Sequence, residues 1–126
     1  MENKIHVTFL RHARSRADDE NVHEGRYDSP LTDAGRVQVQ ARVQDFLERK
    51  FQFDRIVAST LQRAHETAKI IGQALNTPIE TDPDWMELDN GPLAGMSREA
   101  ALEKYPVPNF RNPYEPFCGT GESDWE

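Results

Sequence analysis

Cysteine is almost absent. The 126-residue chain has one, Cys118, which excludes an internal disulfide and any zinc-type cysteine spacing. Long apolar runs are missing as well, so no membrane-spanning segment is expected. The opening residues Met1-Glu2-Asn3-Lys4 are too polar for a secretory leader. A reducing cytoplasm is therefore the expected location. Surplus positive charge is lacking too. Fifteen Lys and Arg stand against 22 Asp and Glu, leaving a net charge of −7, which speaks against general affinity for nucleic acid or acidic membranes. An anion site in this chain has to be a local gathering of cations. The length suits one domain around one core.

What is present reads as alternating strands and helices. Ile5, Val7 and Phe9 alternate with His6, Thr8 and Leu10, a period of two rich in strand formers, which predicts a first strand. A polar stretch over residues 11–30 ends in a turn at Tyr27-Asp28-Ser29-Pro30. Thr32 is placed to cap a helix running to about Lys50, with Val39, Val43, Phe46 and Leu47 on its apolar face. Gly35 inside it costs ~1 kcal/mol against alanine. Arg55-Ile56-Val57-Ala58 predicts a second strand, and Leu61, Ala64, Ala68, Ile71 and Leu75 mark an amphipathic helix after it. Ser59 and Gln62 have capping-box spacing at its start. Ile79-Glu80-Thr81 predicts a third strand, residues 97–104 a short helix, and the proline-rich residues 106–116 a loop. The pattern is that of an α/β domain with a mostly parallel sheet. Ligands in such sheets gather at the carboxyl ends of strands, which puts Arg11 and His12 on the same rim as residues 59–63.

The chemistry on that rim is that of an anion site. Arg63 falls in the first turn of its helix, where a cation is disfavoured by the helix dipole. The penalty reverses when an anion lies in front of it, because the free N–H groups and the guanidinium then face the same charge. Two arginines around a histidine suit phosphoryl oxygens, which guanidinium grips bidentately. The plainer alternative is that each arginine is a solvated surface residue. Basic neighbours would favour a neutral His12, the form a nucleophile requires. His23-Glu24 and His65-Glu66 begin like zinc-protease motifs, but neither has the second histidine that such motifs need. His65 is expected to be exposed, and His23 to lie near the pocket.

These stretches carry a resemblance. Arg11-His12-Ala13-Arg14-Ser15 after an apolar strand, residues 24–38, residues 58–71 and Glu87-Leu88-Asp89-Asn90-Gly91, with an echo at Gly121-Glu122-Ser123, resemble the histidine phosphatase superfamily, the phosphoglycerate mutase-like proteins. The resemblance implies a three-layer α/β fold and one domain over residues 1–126. It also implies phosphomonoester hydrolysis on a small phosphorylated metabolite through a phosphohistidine. His12 matches the nucleophile, Arg11 and Arg63 the arginines that hold the phosphoryl oxygens, and Glu87 the acid that protonates the leaving oxygen. Burial beside Trp85 and Leu88 could raise Glu87 for that duty. Ser15, Asp18, Arg14 and Gly25 join the expected phosphate-binding set. No cofactor or metal is implied, since arginines neutralise the charge.

The sequence also departs from the family pattern. Ala13 replaces the usual glycine and would resist a positive φ. Asp18 replaces an asparagine, and its carboxylate would repel phosphate unless it turned away or paired with Arg14 or Arg16. Leu88-Asp89-Asn90 lacks the Arg and Tyr that mutases use there, which favours a phosphatase over a mutase-type phosphotransferase. No histidine follows His65, although the family has a second catalytic histidine after a later strand; "GTGESDWE" resembles the opening of the helix before it. The expectation is a C-terminally shortened member, weak or inactive in turnover, whose unpaired sheet edge favours a homo-oligomer. A non-catalytic phosphate-binding or interaction domain of the same fold is the reading from another class. Expected partners are a phosphorylated small molecule or inorganic phosphate.

Overall fold

The computed structural model describes residues 2–124. Its elements in chain order are α1 (Arg16–Glu20), α2 (Asp33–Glu48), β1 (Ile56–Ala58), α3 (Gln62–Leu75), β2 (Ile79–Thr81) and α4 (Arg98–Lys104), with short 3-10 turns at Pro83–Trp85 and Gly91–Leu93. β1 and β2 pair in parallel, with Ile56 opposite Ile79 and Ala58 opposite Thr81. The fold is α/β, a parallel sheet flanked by helices, as the alternation of patterns requires.

Helix α2 starts where the sequence places it: Thr32 Oγ1 accepts from the Gly35 N–H. Its inner face, Val39, Val43 and Phe46, packs on Ile71 of α3 and on Leu31 to form the core. Burying each such side chain is worth roughly 1.5–3 kcal/mol. Leu47 is a correction to the predicted face. It stays 47% exposed, because one residue beyond Phe46 turns about 100° around the helix. Phe46 is instead backed by Phe51 and Phe53, with ring centroids 5.4 and 5.5 Å away. The charged side of the helix pair is tied by Arg36 Nε to Glu66 Oε1 at 2.5 Å.

Gly35 is required rather than merely tolerated. A Cβ there would stand 2.1 Å from the Arg14 carbonyl oxygen. The close approach lets residues 14–16 run beside 30–32, with the Thr32 N–H donating to Arg14 O at 3.0 Å and the Arg16 N–H to Pro30 O at 2.9 Å. Helix α1, not foreseen in the polar stretch, follows from a capping box of Ser15 and Asp18.

The first strand is the larger correction. Residues 5–10 belong to no strand, and Ile5 and Phe9 are 89% and 80% exposed. A strand exists through its neighbour's N–H and C=O groups, and here an apolar cavity of about 600 Å³ lies between this segment and β1. Phe46, Ala68 and Ile71 also line it, and it reaches His12. Phe9 meets Trp85, ring centroids 6.4 Å apart. The helix expected to open over "GTGESDWE" does not form at residues 119–124; Trp125 and Glu126 lie outside the described residues. No helix among the described residues is long and apolar enough to cross a membrane.

Gly35→Ala is expected to destabilise the protein by about 1–3 kcal/mol through this overpacking. Urea unfolding checks it: a midpoint equal to the parent's contradicts the close approach.

Candidate active site

His12 sits half-buried beyond residues 5–10. Its Nδ1 lies 2.7 Å from the Ala13 carbonyl, and a carbonyl can only accept, so the proton of the neutral ring belongs on Nδ1. Nε2 is then the lone-pair nitrogen, and Arg63 Nε donates to it at 3.2 Å. Ala13 is not among the residues with positive φ, so alanine in place of glycine carries no strain there. The Ala13 N–H reaches Thr67 Oγ1 at 3.4 Å, and Thr67 donates to Arg63 O at 2.7 Å. Histidine and arginine are thus held by one helix turn.

Arg63 is only 1% exposed. Its NH1 donates to Tyr27 O at 2.9 Å, and its NH2 to Gly25 O at 2.7 Å and to Glu87 Oε2 at 3.0 Å. The predicted Ser59–Gln62 capping box is not what starts α3. Leu61 is the cap residue and makes no side-chain bond, while Asp28 Oδ1 accepts from the Gln62 N–H at 2.7 Å. The helix start is closed by a carboxylate from the preceding loop, which also offsets the cation at its second residue.

Glu87 joins the group, though not by burial. Its side chain is 54% exposed, and Trp85 and Leu88 are themselves open to solvent, so the expected apolar enclosure is absent. Glu122 fastens its loop instead. The Asp89 N–H donates to Glu122 Oε2 at 2.7 Å, and Arg26 NH2 pairs with Oε1 at 2.6 Å. The Gly121-Glu122-Ser123 echo therefore has a structural counterpart, as a clamp rather than a helix start.

The remaining expected phosphate ligands are otherwise engaged. Ser15, fully buried, caps α1. Asp18 turns to Ser15, accepting from its N–H at 2.8 Å and lying 3.2 Å from its Oγ. Burial alone would raise the Asp18 carboxyl, but the bond from the Ser15 N–H, with the Arg11 charge nearby, holds it below its ordinary value. Arg14 pairs with Asp19 and Arg16 with Glu20, so neither compensates Asp18. Gly25, at φ 52°, contributes its carbonyl to Arg63. Arg11 is exposed and acts on Asp18 through its charge. His65 is half-buried rather than exposed. Burial and Arg98 push His23 below its usual value.

Glu24 is the residue the sequence did not single out. Its side chain is 10% exposed, with Oε2 3.3 Å from His12 Nε2 and 3.5 Å from Arg63 Nε. Ser15 Oγ–H reaches Oε1. The available signal was its place beside Gly25. Donor atoms of His12, Glu24 and Glu87 lie within 4.8 Å of one another and could ligate a cation in principle. Arg63 already stands at 3.0–3.5 Å from both carboxylates, and its charge opposes a metal there.

An imidazole, a buried guanidinium and two carboxyl groups thus stand together past the carboxyl end of β1. The chain belongs to the histidine phosphatase superfamily (branch 1), whose sequence profile matches residues 7–124. It is 35% identical over 100 residues to the uncharacterised phosphatase PhoE of Bacillus subtilis (strain 168), covering 79% of this chain and 51% of that protein. It is 33% identical to putative phosphoserine phosphatase 2 of Hydrogenobacter thermophilus, covering 77% and 47%. Among solved structures, mycobacterial glucosyl-3-phosphoglycerate phosphatase Rv2419c with inorganic phosphate superposes with a TM-score of 0.72 at 25% identity, covering 90% of this chain and 53% of that one. The chain spans about half the length of these relatives.

Replacing Asp18 with alanine should cost about 1 kcal/mol by opening the capping box. Its carboxyl is lowered in the fold, so that stability is present above 3.8 and lost as pH falls below it. Denaturant unfolding of both proteins down a pH series checks this; a gap that persists at the lowest pH contradicts it.

Proposed function

We propose that this chain is built to hydrolyse phosphomonoesters through a phosphohistidine on His12. The supporting observation is that His12 Nε2, its tautomer fixed by Ala13 O, stands 3.2 Å from the buried Arg63 Nε with Glu87 on the same guanidinium. In the first step the Nε2 lone pair bonds to phosphorus as the ester P–O bond breaks, and the departing oxygen takes the Glu87 proton. In the second, water attacks phosphorus and gives its proton to Glu87, and the P–N electron pair returns to Nε2. Arg63 spreads the charge of the equatorial oxygens, and Arg11 closes over them from the exposed side. The half-open position of Glu87 lets an alcohol leave toward solvent. The phosphatase names borne by similar proteins support hydrolysis, and a small phosphorylated metabolite is the substrate class proposed.

The cavity beside β1 bears on how much chemistry this chain performs alone. We propose that a strand carrying a second histidine would fill it, because the cavity is apolar, has a strand on one side and reaches His12. The open edge of β1 and the exposed Ile5, Val7 and Phe9 favour association with a second copy.

An aryl phosphate assay paired with acid-quenched mass analysis tests the chemistry. The parent should gain one phosphoryl group, and His12→Ala none, with its hydrolysis at background. Equal rates for the two proteins would remove the enzyme reading. Sedimentation over a concentration series should show dimers or larger species; a monomer throughout would remove the pairing.

A further inference from the structure

Glu24 occupies the place where the proposed reaction needs a phosphoryl oxygen. Its Oε2 lies within 3.5 Å of both the nucleophilic nitrogen and the buried guanidinium, the two groups that an incoming anion would contact. A carboxylate there is an internal anion, and it has no simple way out. Oε1 is bound by Ser15 Oγ, and Ser15 is fully buried in the cap of α1. Moving Glu24 away would give up its bond from the buried Ser15 hydroxyl.

The charged and titratable groups facing Glu24 can be named element by element. His12 comes from the segment before α1, Asp18 shares Ser15 from α1, Arg63 comes from α3, and Glu87 approaches on the far side of Arg63. Arg63 is the one permanent cation among them, and it already serves two carboxylates. When a tetrahedral dianion enters, two anionic oxygens come to face each other across the same nitrogen and guanidinium. Like charges at that distance are not both kept. One proton relieves the conflict: a protonated Glu24 becomes a donor to the ligand instead of a repelling acceptor.

We propose that the site takes up a phosphoryl group together with one proton carried by Glu24, which makes Glu24 the residue that sets how pH governs anion affinity. The inference rests on the phosphoryl-binding reading above and assigns a role to a residue with no part in the chemical step.

Sulfate is a suitable probe, because it has the charge and shape of a phosphoryl group and does not titrate between about pH 5 and 8. Calorimetric titration of the parent, Glu24→Gln and Arg63→Ala with sulfate, and with inorganic phosphate for comparison, tests the proposal. One linked proton makes the parent's affinity fall about tenfold per pH unit more steeply than that of the Gln variant where Glu24 is ionised in the free protein. At the upper end of the range E24Q should therefore bind sulfate at least about tenfold tighter than the parent. Titrating the parent alone in two buffers of different ionisation enthalpy gives the proton count without any variant. Sulfate binding should take up more protons than His12 alone can supply, and E24Q should take up one fewer than the parent. Because Glu24 Oε2 lies 3.3 Å from His12 Nε2, E24Q also alters His12, so the count is repeated with and without E24Q on a His12→Gln background, where the difference isolates Glu24. Identical pH slopes and proton counts in parent and E24Q, with R63A losing affinity, would overturn the proton-carrying role while leaving the phosphoryl-binding reading intact. Absence of sulfate and phosphate binding in parent and E24Q alike, at every pH, would overturn both.

Discussion

The guanidinium of Arg63 is the group on which the site depends. A cation that is 1% exposed is tolerable only when its donors are taken and its charge is matched, and removing the partner of such a group typically costs about 3–5 kcal/mol. Here the Gly25 and Tyr27 carbonyls, His12 and two carboxylates surround it. Those partners come from residues 12, 24–27 and 87, segments that no sheet ladder joins. A single buried charge therefore does the work of a small core. It draws three loops together because each supplies what the cation would otherwise lack.

The neighbouring contacts make that placement cheap to hold. A cation in the first turn of α3 opposes the helix dipole, and Asp28, bonded to the Gln62 N–H, places a carboxylate at the same point. Thr67, one turn further along, holds the Ala13 N–H and the Arg63 carbonyl. Glu122 reaches back to the loop carrying Glu87. None of these contacts touches His12 Nε2, yet each removes a freedom by which His12, Arg63 or Glu87 could drift apart.

Much of this is legible in the sequence. The alternation of patterns predicts α/β, Thr32 caps the helix that follows it, a short helix stands at Arg98–Lys104, and Ile79–Thr81 is a strand. The family resemblance groups His12, Arg11, Arg63 and Glu87; His12, Arg63 and Glu87 meet, whereas Arg11 is exposed. What stayed hidden has a common cause: partners distant in sequence. Local spacing offered Ser59 as a cap, but Asp28 won the Gln62 N–H from a loop that packs across the helix start. The charge at position 18 looked like a liability for phosphate until Ser15 turned it into a capping partner. Glu24 could not be separated from many other acidic residues, because its significance lies only in facing His12 and Arg63. Gly35 looked like a cost to α2, and its value appears only against the Arg14 carbonyl.

The failure of the first strand shows which parts of the fold are independent. Ile5 to Leu10 have the right alternation, yet period-two patterning specifies only which face would be buried once a neighbour is present. Where the neighbouring space is a cavity, the pattern has nothing to act on, and Ile5, Val7 and Phe9 remain in solvent. His12, two residues later, is nonetheless in place, because it is fastened by Ala13, Thr67 and Arg63 rather than by a ladder. The gathering of His12, Glu24 and Glu87 around Arg63 and the completion of the sheet are therefore separate steps. The first is secured by side chains around one buried cation, and it holds even while the apolar wall beside it stands open.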